Sequence, residues 1–401
     1  MIKKVFFGCF VFLSFSLTGY SSDVSTVFNL RAFGGNYSQS SQAGSYNGDL
    51  SIDFVPAVKF NDKLSLLPAL YINYNGIKDV SEVFVGGDPL FMQSANYNVS
   101  IRPVYKLNNN LKLKLKVGYL NQLIVETKDE TWGKGAFDYS KVNVGAGIGF
   151  RNMDFSYNMY TIVFPNYSSL ASQTTYQIGA GKDILDFAAN EISVFGKMSP
   201  SGSFVIDWAL DYTMKSFADQ KIQNQTGAYS LENRADNVTI VNIGPSVALL
   251  PTGPVTVYAG LSVGYTINSS NQNVYDAVTT DYIPKFYDFT ETVLSPMFSF
   301  SFNTVPMRFD LTYDVSTRNY AERLNKVDTA ANDGTYAYST DKMYLKTNTL
   351  SLSVTYPMSE KLSIKGSMKT FDSSSNNKST ADTALYNYTA MNIFAGITYE
   401  Y

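Results

Sequence analysis

Along almost the whole chain, apolar and polar residues alternate one by one. Leu111 to Tyr119 reads LKLKLKVGY, and Phe204 to Lys215 reads FVIDWALDYTMK. Successive side chains of a strand point to opposite faces, so each such segment has one greasy and one polar face. No sustained period of 3.6 competes with this pattern, and the chain is read as all-β. The alternation leaves two ways round. In a soluble sheet Leu111, Leu113 and Leu115 turn inward and Lys112, Lys114 and Lys116 meet bulk water. In a membrane barrel the leucines meet lipid and the lysines line an inner space.

The connections favour the second. Short polar turns stand at 61–62, 108–110, 151–152, 199–202, 251–254, 303–304 and 359–360. Between them lie longer polar stretches near 36–48, 75–92, 126–138, 166–190, 218–236, 268–290, 319–342 and 372–385. Seven short turns and eight long stretches give fifteen connections and sixteen strands, with both termini on the short-turn side. That is the pattern of a transmembrane up-and-down antiparallel β-barrel. Residues 174–198 hold two alternating pieces around KDILDFAANE, read here as one strand plus an extension. Fourteen and eighteen strands stay open for that reason.

The start of the chain has the order of a secretory signal: Lys3 and Lys4, an apolar run from Val5 to Leu17, then Thr18-Gly19-Tyr20-Ser21-Ser22. The run is shorter than the roughly 18 apolar residues of a spanning helix. Residues 1–21 are read as a signal peptide and 22–401 as the barrel. The single Cys, Cys9, lies inside the apolar run, so the mature chain has no disulfide and no thiolate metal site. Charged residues are 16%, below the roughly 25% of soluble domains, and a mean hydropathy of -0.10 is not that of a helical membrane protein. A net charge of -3 argues for no nucleic acid.

The chain ends MNIFAGITYEY. Ile393, Ala395, Ile397, Tyr399 and Tyr401 fall on one face of a last strand that would close against Phe28, Leu30 and Ala32 of the first. This resembles the C-terminal assembly signal of bacterial outer-membrane β-barrel proteins, porin-like in length, with Tyr in place of the commoner terminal Phe. The resemblance implies outer-membrane lipid and the barrel insertion machinery as partners, and, by analogy with porins, a homotrimer. Outward aromatics should form two girdles: Tyr105, Phe150, Phe302, Tyr356 and Tyr401 towards the periplasm, and Tyr74, Tyr97, Tyr119, Tyr212 and Tyr265 towards the outside.

Histidine is absent, which excludes His-based triads, His metal sites and the His-dependent barrel enzymes. No cofactor or metal is expected, and no enzyme. Acids four apart on a strand, such as Asp207 and Asp211, stand about 13 Å from each other, too far to share a proton. A barrel of this strand number is too wide for side chains to fill. Its inner face is expected to be small and polar, with charges on opposed walls. The basic set is Arg31, Arg102, Lys106, Lys112, Lys114, Lys116, Lys141, Arg151, Lys365 and Lys369; the acidic set is Asp207, Asp211, Asp310 and Asp314. The expectation is a porin-type channel for small hydrophilic solutes with a weak anion preference. A carrier for hydrophobic compounds, or an adhesin or structural barrel acting through its outer loops, is the alternative.

Overall fold

In a computed structural model, described for residues 23–40, 42–80, 90–125, 130–167, 183–329, 335–379 and 386–401, sixteen strands close into one antiparallel barrel. The strands are β1 (Asp23–Gln39), β2 (Gln42–Lys59), β3 (Leu64–Val80), β4 (Leu90–Lys106), β5 (Leu111–Val125), β6 (Tyr139–Phe150), β7 (Met153–Val163), β8 (Phe187–Ser201), β9 (Phe204–Gln223), β10 (Tyr229–Leu250), β11 (Val255–Ser270), β14 (Phe289–Phe302), β15 (Met307–Asp328), β16 (Tyr336–Pro357), β17 (Leu362–Ser375) and β18 (Tyr388–Glu400). A two-stranded sheet, β12 (Val274–Asp276) and β13 (Asp281–Ile283), lies in the connection from β11 to β14. Residues 1–21, read as a signal peptide, lie outside the described residues.

Each strand pairs with its neighbours in sequence, and β18 pairs back onto β1. Leu30 faces Tyr399, Ala32 faces Ile397 and Gly34 faces Ala395, while Tyr401 exchanges two backbone hydrogen bonds of 2.8 Å with Phe28. Gly35 is needed in this seam, because a Cβ there would lie 2.8 Å from the Phe394 backbone. The terminal aromatics also pack: the Tyr399 ring stands 6.2 Å from Phe28, and Lys361 Nζ lies 3.7 Å over Tyr401.

The register settles the faces. Leu115, Val117, Val144, Met159 and Ile393 are each about half exposed and all lie on the outer side. Such a continuous apolar coat is unstable in water and suited to lipid. The outward aromatics sit where girdles are expected: Tyr105, Phe150, Tyr356 and Tyr401 near the short turns, and Tyr97 against Tyr119 (6.4 Å) towards the other end.

Three stretches expected as long loops are strand instead. β1 and β2 continue through most of 36–48, β9 and β10 through most of 218–236, and β15 and β16 through most of 319–342. Beyond the apolar band both faces of a hairpin meet water, so the polar alternation fades while the ladder continues. Around 174–198 there is one barrel strand, β8, which begins inside KDILDFAANE; residues 168–182 lie outside the described residues.

The outer rim carries a device used four times. Asp138, Asp186, Asp288 and Asn387 each precede the aromatic residue that opens a strand: Tyr139, Phe187, Phe289 and Tyr388. Their Oδ1 atoms accept the backbone N–H of Ile124 (2.6 Å), Phe164 (2.8 Å), Ser270 (2.5 Å) and Ser375 (2.6 Å). In every case that N–H lies two residues beyond the partner of the aromatic: Gln122, Ile162, Asn268 and Ser373. The side chain replaces the ladder carbonyl that the chain has turned away. Burial pushes the three aspartates above the usual carboxylate range, against the lowering effect of the backbone N–H bonds. The folded barrel therefore takes up these protons more readily than the unfolded chain. The contribution is full at low pH and falls as pH rises from the ordinary aspartate value through the raised one.

Asp288→Asn should keep the rim bond, as Asn387 does, and remove the share of this pH dependence that Asp288 contributes, leaving those of Asp138 and Asp186. Asp288→Ala should lower the exchange protection of the Ser270 amide about tenfold, the effect of losing one hydrogen bond of roughly 1.4 kcal/mol. Amide hydrogen exchange followed by mass spectrometry reads both; equal exchange in the alanine variant and the parent would contradict the clamp.

Candidate functional site: the inner face of the barrel

The register places Arg31, Arg102, Lys106, Lys112, Lys114, Lys116, Lys141, Lys365 and Lys369, and Asp207, Asp211, Asp310 and Asp314, on the face opposite the apolar coat. Arg151 differs. It sits in the β6–β7 turn with φ 52, its guanidinium 5.3 Å from the Phe150 ring, at the rim of the wall. Ile393, Ala395, Ile397 and Tyr399 occupy the outer face of β18, in the closing seam.

The lysines of β5 face a row of glycines. Lys112 is opposite Gly149, Lys114 opposite Gly147 and Lys116 opposite Gly145. The bare backbone leaves a shelf on which the long stems lie. A Cβ on Gly149 would come within 3.2 Å of Lys114 Cε and 2.9 Å of Asp154 Oδ1. Across that shelf Lys114 reaches Asp154 of β7 in an ion pair.

Several of the other charges are compensated. Arg31 lies 3.6 Å from Asp53, Lys197 3.8 Å from Asp207, and Arg308 2.8 Å from Asp310. Strand pairing brings Arg31 to Asp53 and Lys197 to Asp207, while Arg308 reaches Asp310 two residues along its own strand, so the expected bare acidic wall is weaker than its sequence suggests. Among the described residues, Arg102, Lys106, Lys112, Lys116 and Lys141 form no ion pair with a carboxylate, and Arg102 Nε is buried without a hydrogen-bond partner. These five lie on the adjoining strands β4, β5 and β6. Asp314 on β15 is eight steps from β5 in either direction round the closed order, and Asp211 on β9 is four steps away. Lys365 and Lys369 do not extend the basic wall. They share a cavity of about 370 Å³ with Asp310 and Asp49. A second inner cavity of about 780 Å³ is bordered by Asp154, Lys197, Asp207, Asn242 and Phe195.

Sequence reasoning missed a belt of rings and cations at the mouth. Lys141 Nζ lies 3.7 Å over the Tyr160 ring, Tyr160 is 6.3 Å from Phe187, and Phe187 is 5.4 Å from Phe217. Arg234 is held between Phe217 (4.4 Å) and Tyr287 (4.1 Å), and Tyr287 meets Phe286 at 5.2 Å. Arg323 then lies 4.5 Å from Phe286 and 5.0 Å from Tyr320; Tyr320 is 6.0 Å from Phe289, over which Arg318 stacks at 4.2 Å. Tyr160, Phe187, Phe217, Phe289 and Tyr320 share the inward register. Phe286 and Tyr287 belong to the β11–β14 connection, which therefore leans inward.

That connection is fastened on both sides. Gln223 Oε1 accepts the Tyr275 N–H at 2.9 Å, and Asp276 Oδ2 accepts the hydroxyls of Tyr336 (2.6 Å) and Tyr338 (2.8 Å). Burial raises the Asp276 carboxyl, but the two hydroxyl donors and the Val278 N–H outweigh it and hold the group below the usual range. The stretch 166–190, expected as the narrowing loop, lies partly outside the described residues.

No family model matches the chain, and no curated protein matches it. Solved structures do. OccAB1 of Acinetobacter baumannii is 11% identical with a TM-score of 0.51, covering 96% of this chain and 98% of that one. A BenF-like porin from Pseudomonas fluorescens Pf-5 is 13% identical with a TM-score of 0.47, covering 96% and 100%. Identity this low bears on the fold alone. The fold is the closed β-barrel that OccAB1 shares, and the apolar coat is that of a barrel that crosses lipid.

Gly149→Val should cost about 1–3 kcal/mol of stability by overpacking the shelf and displace Lys114 from Asp154. The urea midpoint of the reconstituted barrel reads the effect; an unchanged midpoint would show that the shelf has room.

Proposed function

We propose that the protein is a porin-type channel through which small hydrophilic solutes diffuse passively, with a preference for anions. The observation that carries this reading is the wall of five cations on β4, β5 and β6 that form no ion pair among the described residues, offset in part by the charge of Glu191 on β8, which acts on Lys116 and Lys141. Facing water in a lumen bounded by a low-dielectric wall, the five raise the local concentration of anions and lower that of cations. Asp314 and Asp211 stand away from that wall and moderate the preference. The sixteen-strand closure supports an open lumen, because that girth exceeds what inward side chains fill.

The alternative of a carrier for hydrophobic compounds fits less well, since the inner face below the mouth carries Lys, Asp, Asn, Ser and Gly. An enzymatic role has no histidine to draw on. Tyr401 and the alternate apolar residues before it are the part the insertion machinery would read, on their exposed outer face.

Purified protein in a planar bilayer should give discrete ion currents, and a salt gradient should give a reversal potential on the anion side. Lys112→Glu with Lys116→Glu should move that potential towards cations. A pure, folded preparation without conductance would refute the channel. A full conductance with unchanged reversal potential would show the lysines to be bystanders.

A further inference from the structure

The belt at the mouth holds three guanidiniums, and they are not equivalent. Arg234 has its edge filled by Asp236, with Nη2 to Oδ2 2.7 Å and Nε to Oδ1 3.0 Å. Arg318 has its edge filled by Glu291, at 2.7 Å and 3.0 Å. These two are structural: each ties a ring to a strand. Arg323 has no carboxylate among the described residues. Its one hydrogen bond runs from Nη2 to the Tyr386 hydroxyl at 2.8 Å. A guanidinium has five N–H donors in one plane, so most of this edge is open. Around it stand three rings, Phe286 (4.5 Å), Tyr320 (5.0 Å) and Tyr386 (5.8 Å). The residue is only half-buried.

We propose that Arg323 and its three rings form a binding subsite at the channel mouth for organic oxyanions with a flat, unsaturated body. This rests on the channel reading and names a solute class for it. The open guanidinium edge matches a planar or tripodal oxyanion group by charge-assisted hydrogen bonds. The rings that frame it offer faces and edges for stacking against an unsaturated body. A saturated anion of equal charge and size meets the cation alone. A neutral arene meets the rings alone. Only a solute with both features uses the whole site. The stacking of Arg323 on its neighbours also fixes its edge in place, so little side-chain entropy is lost on binding.

The test compares benzenesulfonate, cyclohexanesulfonate and benzyl alcohol as blockers of chloride current through single channels. The two sulfonates are permanent monoanions of similar size, differing in flatness and unsaturation. Benzenesulfonate should interrupt the current at concentrations about tenfold below those needed for cyclohexanesulfonate. Benzyl alcohol should have no effect. Arg323→Gln should abolish the difference, and Arg323→Lys should keep charge attraction and lose most of the discrimination. Chloride conductance without any organic solute reports on the channel reading separately. If that conductance is absent, titration calorimetry of the same sulfonates against the folded protein in detergent tests the subsite directly. Equal block or equal binding by the two sulfonates, or a preference that survives Arg323→Gln, would overturn the proposal.

Discussion

The rest of the structure depends on one seam, the ladder between β1 and β18. Lipid contains no water to bond a free N–H or C=O, so a sheet that crosses it must have no edge. The pairing from Asn29–Glu400 to Gln39–Ala390 removes the last one. Once closed, the sheet has an inside and an outside, and the period of two assigns every side chain to one of them. Sixteen strands then set the girth, and the girth leaves the inner face to water. The tyrosines at the chain's end are thus structural twice over, as part of the seam and as part of the outward coat.

Inside, the two halves of the barrel are built from different chemistry. Near the short turns the wall is made of long cations over glycine, with some charges neutralised by ion pairs and Arg102, Lys106, Lys112 and Lys116 without one among the described residues. At the mouth it is made of rings stacked on cations, and the connection carrying β12 and β13 leans in to complete it. The fastening of that connection, through Gln223 on one side and Tyr336 and Tyr338 on the other, makes the mouth a fixed feature of the barrel.

Much of this was legible in the sequence. Strand number, closure, the short turns and the facing of Lys112, Lys114 and Lys116 follow from alternation, because one side of each strand meets lipid and tolerates no charge. Legibility ends where that contrast ends. Above the apolar band the hairpins of β9–β10 and β15–β16 meet water on both faces, and their strands look like loops. Bulges between Asn233 and Ala235, and between Asn319 and Leu324, break the register beside Arg234 and Arg323, so alternation does not report where those guanidiniums point, although the rings themselves lie in unbroken register. Ion pairs such as Lys114–Asp154 join residues on strands two apart, which no local pattern reports. One signal was present and unread: an Asp or Asn directly before an aromatic at 138–139, 186–187, 288–289 and 387–388 marks four strand starts at the rim.

The central claim is that the wall separates lipid from water residue by residue, with the lysines of β5 on the wet side. Single-cysteine substitutions at positions 111 to 116, in a Cys9→Ser background and in reconstituted vesicles, test it most directly. A charged, membrane-impermeant thiol reagent is expected to modify Lys112→Cys, Lys114→Cys and Lys116→Cys rapidly, and to leave Leu111→Cys, Leu113→Cys and Leu115→Cys largely untouched. Uniform reactivity, or reactivity at the leucine positions alone, would contradict it.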